Sequence, residues 1–180
     1  MPDGRGVGAA ERAFALLDSF DATGSALTLA ELARRSGLYK STILRLAVSL
    51  ERFGLMLRQP DGRYRLGPAA WRLGSAYRAS FALPETIRPE LRRLSEATGE
   101  TASFYVREGE SRICLYRSEP SRAIRHSVAE GARLPLDRGA AGRVLRAHGA
   151  DAAPEDAASR AEGVATSLGE RDPEVAAVAA

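Results

Sequence analysis

The chain is poor in the residues that most often carry chemistry. It has one cysteine, Cys114, two histidines, His126 and His148, one lysine, Lys40, and one tryptophan, Trp71, in 180 residues. A single cysteine excludes an internal disulfide framework and suits a reducing cytoplasm. Cys114 lies in an apolar stretch and reads as a small core residue. The histidines lie in different expected elements, so neither a metal-spaced cluster nor a Cys–His–Asp set can be assembled, and no GxxxxGK phosphate loop is present. Gly139-Ala140-Ala141-Gly142 lacks the surrounding strand–GxGxxG–helix unit of a nucleotide fingerprint. No enzymatic activity, cofactor or metal is therefore expected. There is no apolar run long enough to span a membrane, and Met1-Pro2-Asp3-Gly4 opens a polar start without a leader's apolar core. No internal repeat is evident.

Hydrophobic residues make up 44% of the chain, an ordinary share for a globular protein of one large or two small domains. The formal net charge is only +3, but every basic residue except Lys40 is arginine. Arginine suits phosphate and base recognition. It also suits the codon bias of a GC-rich genome, so composition leaves both explanations open.

Pattern is more informative. Residues 28 to 67 read TLAELARRSGLYKSTILRLAVSLERFGLMLRQPDGRYRLG. Thr28 can cap a helix, and Glu31 three residues later completes a capping box. Leu29, Leu32 and Ala33 recur at helical spacing. Ser36-Gly37 ends the helix, with Gly37 free to take a positive φ, and Leu38 anchors the turn. A second helix starts near Tyr39 to Ser41, with Ile43, Leu46, Ala47, Leu50 and Phe53 as its buried side, and ends at Gly54. Leu55 to Arg58 and Arg63 to Leu66 read as strands around the turn residues Gln59-Pro60-Asp61-Gly62. Upstream, Ala13, Leu16, Leu17 and Phe20 give a first helix its apolar face.

Helix, turn, helix and hairpin in that order is the winged helix-turn-helix, which lays its second helix in the DNA major groove. Tyr39, Lys40, Ser41, Thr42 and Arg45 lie near the start of that helix and mainly off its buried stripe. Arginine can hold guanine with two hydrogen bonds, and hydroxyls can bond phosphate or base edges. The alternative for Ser41 or Thr42 is a simple N-cap. Arg58, Arg63 and Arg65 on the hairpin suit phosphate or minor-groove contact, or solubility alone.

Downstream, 68 to 80 reads as a linking helix with Ala70, Leu73, Gly74 and Tyr77 as its packing face. Pro84 restarts the chain into a helix with the stripe Ile87, Leu91 and Leu94, ending at Thr98-Gly99. The period then changes to two. Strands are expected over 101 to 106, 112 to 117 and 123 to 128, with a helix over 139 to 147, which makes an α+β domain. Glu108, Glu110, Glu119 and Glu130 fall in or beside turns and read as solvated. The small residues Gly139, Ala140, Ala141 and Gly142 leave first-turn amides uncovered, a setting that favours an anionic group. The alternative is that Asp137 is an N-cap and the small residues permit close packing.

The segments RAFALLDSF at 12 to 20, LTLAELARRSGLYKSTILRLAVSLERFGLM at 27 to 56, YRLGPAAWRLG at 64 to 74, GARLPLDRGAAGRVLRA at 131 to 147 and GERDPEVAAVAA at 169 to 180 together resemble the IclR-type bacterial transcriptional regulators. The resemblance implies an α+β architecture: a disordered tail over 1 to 8, a winged helix-turn-helix over 9 to 67, a linker helix over 68 to 82, and a GAF- or PAS-like effector-binding domain over 83 to 180. It implies double-stranded DNA as partner, a homodimer or tetramer joined through 13 to 20 and the linker helix, and a small-molecule effector bearing a carboxylate. It places Ala123, Ile124, Arg125, Ser167 and Ala177, with Gly139, Ala140 and Ala141, near the effector pocket. The stretch 146 to 162 is shorter than in many relatives, and the chain stops at Ala180 within an expected strand, so the effector domain is expected to be truncated. The competing reading is a small-molecule-binding module whose winged helix serves protein contact.

Overall fold

A computed structural model describes residues 6–21, 24–79, 83–120, 128–170 and 172–180. The chain divides into two units, Met1–Ala82 and Leu83–Ala180.

In the first unit, α1 (Gly8–Leu17), α2 (Leu29–Ser36) and α3 (Lys40–Arg52) precede a hairpin of β1 (Met56–Arg58) and β2 (Tyr64–Leu66), and α4 (Pro68–Ala79) follows. Apolar positions at helical spacing converge on one core: Leu16, Leu27, Leu32, Ile43, Ala47, Leu50, Met56 and Tyr64 are buried together. The capping box forms as expected. Glu31 N donates to Thr28 Oγ1 at 3.2 Å and Thr28 N donates to Glu31 Oε2 at 2.7 Å. The Thr28 amide, with the Thr28 hydroxyl that donates to the same oxygen at 2.7 Å, holds the Glu31 carboxyl below its ordinary pKa. Gly37 ends α2 at φ 71°, a left-handed conformation that spares glycine the Cβ clash. The hairpin pairs Met56 with Leu66 and Arg58 with Tyr64. A bridge between Leu27 and Tyr64 fastens it to the loop before α2 through backbone bonds of 2.8 and 2.7 Å.

Three expectations for this unit need correction. Helix α1 ends at Leu17, so Phe20 packs on the core from beyond the helix. Phe53 caps the end of α3 and is 72% exposed, because the chain has left the helix before that side chain could turn inward. On α4 only Ala69 is buried, and the expected face of Leu73, Gly74 and Tyr77 is exposed.

In the second unit, α5 (Leu83–Thr98) packs on β3 (Ala102–Glu108) and β4 (Ser111–Ser118), and β5 (Arg133–Pro135) completes a sheet ordered β3-β4-β5. The β3–β4 hairpin is longer than the sequence suggests, with only Gly109-Glu110 between its strands. Its register shifts between Phe104 and Tyr105. Leu91 is buried while Leu94, expected in the same stripe, is 44% exposed. Five of the six residues of the strand expected over 123 to 128 lie outside the described residues, as do 121 and 122 before it. After β5 come α6 (Ala140–Ala147), a 3-10 turn at Pro154–Asp156, α7 (Ala157–Glu162), and a hairpin of β6 (Ala165–Leu168) and β7 (Ala176–Ala179). Cys114 is fully buried, as expected, and burial raises its thiol pKa. The glutamates are less solitary than expected. Glu130 accepts from Arg88 at 3.0 Å and from the Arg117 amide at 3.0 Å, and Glu119 pairs with Arg117 at 2.8 Å. Among the described residues no helix is long and apolar enough to cross a membrane.

Replacing Thr28 with alanine removes the acceptor for Glu31 N and should lower the stability of the first unit by about 1 kcal/mol, read as a shift in its urea midpoint.

Candidate functional site

The rotation of α3 is fixed by its inner side. Ile43, Ala47 and Leu50 are buried, so Lys40, Ser41, Arg45, Ser49 and Arg52 face outward. Tyr39 is the N-cap in extended conformation (φ −65°, ψ 142°) and gives no side-chain cap bond. The first turn closes instead on the Tyr39 carbonyl, which accepts from Thr42 N at 2.9 Å and Ile43 N at 3.1 Å. Neither Ser41 nor Thr42 is thus an N-cap. Ser41 is exposed and Thr42 half-buried, while Tyr39 is 84% exposed. No acidic residue lies in the first turn of α3. Its leading amides and the Lys40 ammonium thus present only positive potential, a setting for phosphate. Among the described residues no carboxylate lies within ion-pair distance of Lys40 or Arg45.

The hairpin adds three arginines with different commitments. Arg58 stands over the Tyr64 ring, 5.8 Å from its centroid. Arg63 leans on Asp61 at 3.6 Å, an exposed pair in the turn. Arg65 is exposed on β2. Because β2 is bridged to Leu27, the hairpin is held against the same core that orients α3.

The second unit brings a different set together at the start of α6. Gly139 is the N-cap at φ 79°, so Asp137 does not cap this helix; it lies 4.0 Å from Arg138 in an exposed pair. The first amides are not free. Gly139 N donates to Glu170 Oε2 at 2.8 Å, and Ala140 N donates to Ser167 Oγ at 3.1 Å. Arg143 donates to the second oxygen of Glu170 and to the Thr166 carbonyl. The Gly139 amide, then Arg143, hold the Glu170 carboxyl below its ordinary pKa. Beneath this, the buried Arg112 donates to the carbonyls of Pro135 and Arg138. A Cβ at Gly142 would come within 2.3 Å of the Leu136 carbonyl oxygen, so the close approach requires glycine.

Comparison with known proteins places these features. The IclR helix-turn-helix domain profile matches residues 9–60, and the bacterial transcriptional regulator IclR C-terminal profile matches 76–159. The chain belongs to the IclR family. It is 37% identical to the HTH-type transcriptional regulator BhcR of Paracoccus denitrificans over 81% of this chain and 52% of that protein. It is 34% identical to the DNA-binding transcriptional repressor YiaJ of Escherichia coli over 67% of this chain and 44% of that protein. The chain thus spans about half the length of the curated relatives it matches. Among solved structures, an IclR regulator of Alicyclobacillus acidocaldarius superposes with a TM-score of 0.80 at 26% identity, covering 97% of this chain and 81% of that one. An IclR-type regulator of Silicibacter sp. TM1040 gives 0.77 at 28% identity, covering 94% and 77%. The relatives are named as regulators and repressors rather than enzymes.

Of the residues expected at an IclR effector pocket, Gly139, Ala140 and Ser167 meet directly, Ala141 adjoins them in α6, and Ala177 pairs with Ser167 across β6 and β7. Ala123, Ile124 and Arg125 lie outside the described residues. Sequence reasoning missed Glu170, Arg143 and Arg112. Glu170 lies 31 positions from Gly139, and no local period points from one to the other.

Because Glu170 titrates below its unfolded value, its contribution to stability is present above the ordinary glutamate pKa, about 4.3, and is lost as pH falls through the lower folded value. Glu170→Gln should therefore lower the second unit's urea midpoint at pH 7, and the gap from the unaltered chain should close toward pH 3. A gap constant across that range would show that the carboxylate charge contributes nothing to this contact.

Proposed function

We propose that this chain is a cytoplasmic DNA-binding transcriptional regulator that engages an operator as a dimer and answers to a small carboxylate-bearing effector. The observation that carries the DNA reading is the exposed face of α3, where Lys40, Ser41 and Arg45 stand, among the described residues, without carboxylate partners opposite a filled core. In this reading Tyr39, Lys40, Ser41, Thr42 and Arg45 meet the major groove, and Arg58, Arg63 and Arg65 meet the backbone beside it.

Dimer formation is supported by unburied apolar surface in the first unit. Phe14 of α1 is 67% exposed, and on α4 Trp71, Leu73 and Tyr77 are 70%, 57% and 48% exposed. Apolar surface of this kind marks a protein contact. Two-fold pairing of the modules would set their recognition helices about one helical turn apart.

For the effector, Gly139, Ala140, Ala141, Ser167 and Ala177, with Ala123, Ile124 and Arg125, remain the proposed surroundings. The internal carboxylate of Glu170 already holds the Gly139 amide, so an incoming acid must displace it. Calorimetry with a panel of small organic acids should show tighter binding to Glu170→Gln than to the unaltered chain. Equal affinities would place the effector elsewhere.

The DNA reading is tested by gel-shift titration over a salt series. Arg45→Ala should cost about 1–3 kcal/mol and relax preference at one base pair. Lys40→Ala should weaken all duplexes alike and lower the salt slope by about one. Unchanged affinity in both variants would remove α3 from the interface and favour protein contact as its role.

A further inference from the structure

Two apolar side chains stand on the outer face of α3. Leu44 is 42% exposed and Val48 is 58% exposed. They do not extend the core stripe. With 3.6 residues per turn, Val48 lies one turn beyond Leu44 and Arg45 and one turn before Arg52, and Leu44 lies one turn beyond Lys40 and Ser41. All four of those polar neighbours are exposed. The two apolar groups therefore border the cationic and hydroxyl-bearing surface, Leu44 on the flank of the stripe of Ile43, Ala47 and Leu50 and Val48 well round from it.

Helix formation does not explain Val48. A β-branched valine at an exposed helical site is a poorer helix former than alanine, lysine or glutamate. Phosphate explains neither Leu44 nor Val48, since an apolar side chain offers it no donor. The charge of the surrounding face, Lys40, Arg45 and Arg52 on α3 with arginines on the hairpin, fits a polyanion. One apolar group on a polyanion is available to a helix lying in its major groove, and that is the C5-methyl of thymine.

We infer that Leu44 and Val48 are specificity-determining residues that read thymine methyl groups beside the base contacted by Arg45. This rests on the reading of α3 as the recognition helix. The operator half-site would then hold one or two thymines whose methyls are recognised apart from any hydrogen bond.

The test uses the full 180-residue chain. Duplexes are enriched from a randomised pool by binding, and each thymine of the enriched half-site is then replaced by deoxyuridine, which removes the methyl and leaves base pairing intact. At one or two positions deoxyuridine should weaken binding by about fourfold, the value of one buried methyl. That loss should vanish at one position in Leu44→Ala or Val48→Ala, while the response at other thymines stays unchanged. Both side chains are exposed, and the deoxyuridine scan of the unaltered chain stands whether or not a variant folds. If every deoxyuridine duplex binds as its parent does, or if the losses persist undiminished in both variants, the inference fails while DNA binding by α3 stands. Salt-dependent binding without any enriched sequence also overturns it. Absence of salt-dependent binding to any duplex overturns the recognition-helix reading itself.

Discussion

Burial of Ile43, Ala47 and Leu50 is the constraint from which the first unit's surface follows. These three side chains interlock with Leu16, Leu32 and Met56, so α3 cannot rotate without opening the core. Every outward position is thereby fixed relative to the others. The same core takes in Tyr64 of the hairpin, whose backbone bonds to Leu27 in both directions. Helix and wing are thus positioned by one packed cluster rather than by separate local preferences. That is what a rigid reader of a groove requires, because a misplaced contact group forfeits its hydrogen bond.

Most of this was legible in the sequence because it is local. The Thr28–Glu31 box, the Gly37 turn and the 3.6-residue stripe each act within a few positions, and each formed where the spacing put it. Legibility fails where the chain leaves periodic structure or where the partner is distant. Phe53 continues the α3 stripe by spacing alone but falls at the cap, where the helical path ends. Leu73 and Tyr77 have the spacing of a packing face yet remain exposed, since spacing shows that a face is apolar and not what covers it.

The second unit shows the limit from the opposite direction. The small residues at 139 to 142 suggested an open helix terminus awaiting an anion. In this structure the chain's own Glu170, on the loop between β6 and β7, supplies a carboxylate there. A helix terminus attracts negative charge whatever its source, so composition predicts the charge and long-range topology decides who supplies it. Arg143 then bonds the same carboxylate and the Thr166 carbonyl, tying the hairpin to α6.

Arginine is used in two ways: some side chains fasten the fold, as Arg35 does in the first unit by bonding the Ser19 carbonyl and Asp21, and others stand exposed. In the second unit Arg112 and Arg143 spend their donors on carbonyls and on Glu170, and Arg107 holds Asp151 through two bonds of 2.5 and 2.7 Å. There the guanidinium is an internal fastener whose fork suits several acceptors at once. On α3, Arg45 and Arg52 are exposed on a face whose first turn holds no acid. An arginine codon bias would raise the count in both units but would not sort the side chains by whether the fold satisfies them. The sorting is what the proposed DNA contact of α3 would account for and composition alone would not.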